Sequence, residues 1–319
     1  MIKMETITEC KYGPLNPKVN MEPDFFTCFE ADKRKEIVTE EAKFYKELTE
    51  PYSVDDKINT KYVSFKTKDG SEIPIKVYEP KNMDKPLPVV VFFHGGGFIT
   101  CSVETHNFVP SYIACNANVI VCSVEYRLAP EYKFPIGLED CYESIKWIIE
   151  NKKELNVDAS KLMVCGDSSG ANFSAVLCLM AKERKEFQIS NQILIYPATD
   201  LSGKVYKKSA EAYAPVGGDA DGKGVDFIAL YTNDCDDLSN PYISPLLARN
   251  VTGLPPALFI SAECDPLLDD GLMYAKKLKD AGVTVDYKIY EGMPHAFILR
   301  TYEETFEALN YICNYVEKF

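Results

Sequence analysis

Five apolar runs closed by turn residues constrain this chain more than any other feature: "PVVVFF", "NVIVCSVEY", "KLMVCG", "NQILIYP" and "PALFISAE". They lack the polar–apolar alternation of a strand with one wet face. Runs of this kind suit a parallel sheet covered on both sides. Helix-period segments lie between them, such as "GLEDCYESIKWIIENKKEL" and "GANFSAVLCLMAKERK", and can supply the cover. This alternation predicts an α/β chain with a doubly wound, mostly parallel sheet. Ahead of it "YVSFKT" and "EIPIKVYE" do alternate, and "DG" with Ser71 joins them as a tight antiparallel hairpin.

Two stretches fall outside that rhythm. The first, to roughly Asp56, is charge-rich with aromatic interruptions, "DFFTCFEADKR" and "EEAKFYKEL", and reads as amphipathic helices. The second is an insertion of about fifty residues between "ILIYPATD" and "LPPALFI", far longer than a normal connection. Such an insertion is either disordered or a lid, and Tyr206, Tyr213, Phe227 and Tyr231 give it enough aromatic surface to favour the lid. The expected division is a core of residues 57–198 and 252–319, with residues 1–56 and 199–251 as cap.

A net charge of -13 argues against unaided binding to nucleic acid or anionic membranes. The opening "MIKMETITECKYGPLN" lacks the apolar core of a secretory signal, and no run is long enough to span a bilayer. The 11 cysteines are scattered without C-x-x-C pairs or neighbouring histidines. Reduced thiols in a cytoplasm are the expectation, with Cys122, Cys165 and Cys178 packing as small hydrophobes and no metal site.

The chemistry starts at "VCGDSSGAN", where Gly-x-Ser-x-Gly surrounds Ser168 straight after an apolar run. A serine hydroxyl is a weak nucleophile until a base takes its proton, and it must stand clear of the sheet. A sharp strand-to-helix turn lifts it out, with Gly166 and Gly170 relieving the crowding on either side. The helix starting near Ser169 then points its N-terminus at developing negative charge. A plain glycine-punctuated helix start is the simpler alternative, so the turn alone does not decide.

"FFHGGGFIT" follows another strand directly. Backbone N–H groups without side chains can face a tetrahedral oxyanion, and losing one such donor costs roughly 3 kcal/mol. Gly96 and Gly97 are the preferred donors, with Gly95 close by, and the N–H of Ser169 completes the set. The chain has three histidines. His94 belongs to the glycine loop and is expected to brace it. His106 lies early in a helix-like segment, as an exposed or core residue. That leaves His295 in "YEGMPHAF", after the strand "VTVDYKIY", as the base. Asp265, directly after "LFISAEC" and fixed by Pro266, is the acid that orients it. Asp269 and Asp270 read as first-turn carboxylates of a helix.

"HGGGF", "EYRLAPE", "GDSSGAN", "SPLLA" and "DPLLDDG" in that order resemble the hormone-sensitive-lipase-like family of bacterial esterases, from about Tyr62 onward. The resemblance implies an α/β-hydrolase fold of about eight strands with a helical cap, hydrolysing esters without a cofactor. By the same resemblance Ser168, Asp265 and His295 are the triad, the glycine loop is the oxyanion hole, and "YRLAPE" is structural. Ser169 and Ala171 depart from the family pattern, which usually has Ala and Gly there.

The expected activity is hydrolysis of short acyl esters, acetyl to butyryl, through an acyl-enzyme. Charged residues in the insertion, Lys204, Lys207 and Lys208 among them, argue against a lipase working on an oil surface. An amidase or deacetylase using the same triad is the alternative, and a silent small-molecule receptor a weaker one. The partner is a small-molecule ester; a homo-oligomer stays open. Cys101, just beyond the glycines, is expected to line the pocket and make the enzyme thiol-sensitive.

Overall fold

The computed structural model describes residues 12–20, 31–81, 83–213 and 225–319. Eight strands form one sheet: β1 (Ile58–Lys66), β2 (Glu72–Pro80), β3 (Leu87–Phe93), β4 (Ile120–Val124), β5 (Val157–Asp167), β6 (Asn191–Ile195), β7 (Ala257–Cys264) and β8 (Val285–Pro294). Their order is β1-β2-β4-β3-β5-β6-β7-β8. β1 and β2 pair antiparallel, as does β2 with β4; every later pairing is parallel. The hairpin turn runs from Thr67 to Ser71, with Gly70 at φ 86°.

The helices are α1 (Arg34–Thr49), α2 (Phe108–Ala117), α3 (Ile136–Glu150), α4 (Ser169–Arg184), α5 (Lys208–Tyr213), α6 (Phe227–Tyr231), α7 (Leu268–Asp280) and α8 (Glu303–Val316). The two sheet faces explain the unbroken apolar runs. Val89, Val91 and Phe93 of β3 join Leu138 and Ile145 of α3 and Val176 of α4 in one core. Val90 and Phe92 join Ile113 of α2 and Leu309 and Ile312 of α8 in the other. Successive strand residues point to opposite faces, so a strand packed on both sides needs apolar residues at every position. Cys122, Cys165 and Cys178 are buried, and every described cysteine is free.

The charged N-terminal stretch yields α1, as its pattern predicts; the residues of "DFFTCFE" lie outside those described. The described part of the insertion packs against the rest of the chain. Asp270 accepts the Thr199 and Asp200 N–H groups at 2.9 and 2.8 Å and pairs with Lys207 at 2.9 Å. Asn172 of α4 donates to the Ala198 and Ile243 carbonyls. Tyr231 stacks on Phe98 of the glycine loop at 3.9 Å. Tyr213 and Tyr231 are buried, whereas Tyr206 stands in solvent. Among the described residues no helix is long and apolar enough to cross a membrane.

Candidate active site

The carboxyl ends of the parallel strands gather the residues that the sequence singled out. Ser168 follows β5 directly, at φ 54° and ψ -117°, and α4 begins with the next residue. This strained conformation survives because its neighbours leave no room for another. A Cβ on Gly166 would run into the Gly170 backbone, and one on Gly170 into the Phe93 carbonyl. Only glycines let the turn close this tightly, which pushes the hydroxyl outward.

Asp265 follows β7 and His295 follows β8, with β6 between them and β5. His295 Nδ1 lies 2.7 Å from Asp265 Oδ2, and Nε2 lies 3.0 Å from Ser168 Oγ. Asp265 is fully buried and also accepts the Leu267 N–H. Burial works against a charged imidazole, but the Asp265 carboxylate and its hydrogen bond outweigh it, so the His295 pKa is raised. The three groups thus form a line along which a proton can leave the serine.

The glycine loop holds a correction. Gly95 donates its N–H to Asp167 Oδ1 at 2.8 Å, so this N–H is already engaged and drops out of the expected oxyanion donors. Gly96, Gly97 and Ser169 donate to no acceptor among the described residues, and all three line the cavity beside Ser168. Positive φ values of 113° and 61° at Gly96 and Gly97 turn the loop around this point. His94 braces it as expected: its ring stacks on Tyr126 at 4.3 Å and its carbonyl accepts the Tyr126 hydroxyl at 2.6 Å. Burial pushes the His94 pKa down to about 3, so it stays neutral. Ala129 donates to the Phe98 carbonyl, which gives "YRLAPE" its structural part.

One relation went unread in the sequence. His106 is buried in the turn before α2, with Nε2 at 3.2 and 3.3 Å from the two oxygens of Asp167. Asp167 sits beside Ser168 and also holds Gly95. Burial disfavours both charges, yet their mutual attraction raises the His106 pKa and lowers that of Asp167. The adjacency of Asp167 to Ser168 was the available signal. Cys101 lines the cavity, but it is 1% exposed and burial lifts its pKa well above the ordinary thiol value. A thiol kept protonated is a slow nucleophile, which weakens the expectation of ready alkylation.

The cavity has a volume of about 420 Å³. Tyr45 of α1, Leu201 and Phe227 of the insertion, and Leu299 and Arg300 are among its lining residues. A Cβ on Gly97 would overlap the Phe227 ring, so Phe227 lies directly on the loop.

A protein-family model described as an alpha/beta hydrolase fold matches residues 90–299. A carboxylesterase of Mycobacterium tuberculosis is 38% identical over 234 residues, 72% of each chain. An ethyl acetate hydrolase of Pseudomonas putida is 33% identical over 240 residues, 74% of each chain. The solved structure of a hyperthermophilic esterase from the archaeon Pyrobaculum calidifontis superposes with a TM-score of 0.83 at 34% identity, covering 96% of this chain and 99% of that one.

Proposed function

The chain belongs to the alpha/beta hydrolase family, in its hormone-sensitive-lipase-like branch, and from that premise we propose that it is a serine carboxylesterase for soluble esters of short acyl chains. The observation that carries the reading is the continuous line Asp265–His295–Ser168, at 2.7 and 3.0 Å. Asp265 accepts the Nδ1 proton, leaving Nε2 free as the base. Ser168 attacks the ester carbonyl while its proton passes to Nε2, and the imidazolium then hands that proton to the departing alcohol. Water repeats the two steps on the acyl-enzyme, releasing the acid and restoring the serine. The N–H groups of Gly96, Gly97 and Ser169 meet the oxyanion, with the N-terminus of α4 behind it.

Acyl length follows from the walls. Phe227, laid on Gly97, closes the space next to the reacting carbon. Residues 31–56 and the described part of 199–251 act as the cap in this reading. The relative named for ethyl acetate supports a small acyl group.

Turnover of p-nitrophenyl esters from acetyl to decanoyl tests the proposal, with Ser168→Ala alongside. Activity concentrated on the short esters and lost in the variant is the expected result; no turnover of any ester overturns it. Phe227→Ala opens the wall and raises the octanoyl-to-acetyl rate ratio roughly tenfold. An unchanged ratio removes Phe227 from the wall.

A further inference from the structure

The mechanism leaves one buried carboxyl unused. Glu41 on α1 is 1% exposed, although it comes from the charge-rich "EEAKFYKEL". Its two oxygens meet Cys101 Sγ at 3.6 and 3.7 Å, where the thiol donates. Cys101 closes the glycine loop at φ 68°, and its Sγ lies 2.9 Å from where a Cβ on Gly96 would stand. The thiol is therefore wedged between a carboxyl from outside the sheet and a backbone that faces the oxyanion. From the neighbouring elements His106, Arg300 and Asp167 act on Glu41 through space, and Tyr45 lies one turn further along α1.

We propose that Glu41 is a positioning residue for the oxyanion hole: in either form it seats Cys101 against Gly96, and when charged it also opposes the negative charge that forms there. The proposal rests on the serine-esterase reading. A carboxylic acid can share a hydrogen bond with a thiol and add no field. A carboxylate at the same place sets a like charge near the developing oxyanion, where little water screens it. Asp167 is as deeply buried, but His106 and the Gly95 N–H answer its charge. Glu41 has a weak S–H donor instead, with His106 and Arg300 tempering its charge from further off.

Burial pushes the Glu41 pKa up to about 7, against the lowering pull of His106, the Cys101 hydrogen bond and Arg300. Both forms are thus populated around neutrality. Cys101 stays protonated throughout that range. As pH rises through the Glu41 pKa the charged form accumulates and the rate falls. His295 sets the opposite limb, since it must lose its proton to act as a base. A bell-shaped kcat/KM follows, with an alkaline limb that belongs to Glu41.

The test is the pH profile of kcat/KM on p-nitrophenyl butyrate for the full chain, Glu41→Gln and Cys101→Ala. The unaltered chain is expected to lose roughly tenfold between about pH 7 and about pH 9, and Glu41→Gln less than about twofold. Cys101→Ala lowers kcat at every pH with KM held within about twofold, because Gly96 loses its stop. An alkaline limb of unaltered depth in Glu41→Gln overturns the proposal, and so does a flat profile in the unaltered chain. Cys101→Ala with full kcat overturns it independently, so instability of one variant leaves the other decisive. A chain that turns over no ester, or that keeps its turnover in Ser168→Ala, marks failure of the serine-esterase reading instead.

Discussion

Two histidine–aspartate pairs flank Ser168, and they differ in what the second ring nitrogen meets. His295 holds Asp265 through Nδ1 and turns Nε2 to Ser168 Oγ. His106 faces Asp167 through Nε2 and turns Nδ1 to Thr105 Oγ1 at 2.9 Å. The His295 side chain is 26% exposed and that of His106 1%. An imidazole bridging a carboxylate and a hydroxyl at a cavity wall can move a proton to substrate. One sealed between a carboxylate and a threonine can only hold its surroundings in shape. The same pair of side chains becomes machinery or brace according to access.

The largest effect that separates the pairs comes from the histidines. In the proposed mechanism His295→Ala costs about 10⁴-fold or more in kcat on p-nitrophenyl acetate, whereas His106→Asn costs about tenfold. Equal losses would erase the distinction. The carboxylates sharpen it next. Asp265→Asn is expected to lower kcat about 10³- to 10⁴-fold by releasing the tautomer, with little change in unfolding midpoint. Asp167→Asn loosens Gly95 and leaves His106 unanswered, costing about 3 kcal/mol in denaturant unfolding and a smaller, roughly thirtyfold fall in kcat. The smallest effect is in pH. The raised His295 pKa keeps the imidazole protonated further up the scale, so kcat/KM fails on the acid side below a midpoint higher than about 6.5, the ordinary histidine value. His106→Asn leaves that midpoint in place; a clear shift would mean that the brace tunes the base.

This contrast also separates what is legible in the sequence from what only the packed chain shows. The nucleophile turn, the glycine loop and the residues after β7 and β8 are local patterns, because each needs a strand end and one side chain. His295 was reached by elimination among three histidines. His106 and Asp167 stand 61 residues apart, and nothing in "SVETHNF" reveals that the turn before α2 folds back under the nucleophile. Spacing cannot tell which way an N–H points, so it groups Gly95 with the oxyanion donors, whereas that N–H donates to Asp167 Oδ1. Glu41 was hidden for another reason: in a helix dense with charge, one buried carboxylate looks like its exposed neighbours. Asp269 and Asp270 do stand in the first turn of α7, but what they hold, Ser209 and the Thr199–Asp200 backbone, comes from sixty and more residues earlier. Fold class follows from periodicity; polar contacts between distant segments follow only from the packed chain.

The sheet order carries a consequence for durability. Ser168 leaves a strand enclosed by neighbours on both sides, whereas His295 leaves β8, whose one strand partner among the described residues is β7 and whose Gly292 carbonyl accepts the Asn16 N–H. Edge strands open at lower free energy than central ones. In the proposed mechanism, mild heat or denaturant is then expected to displace His295 while the turn at Ser168 is still intact, so that esterase activity is lost before the helical circular-dichroism signal.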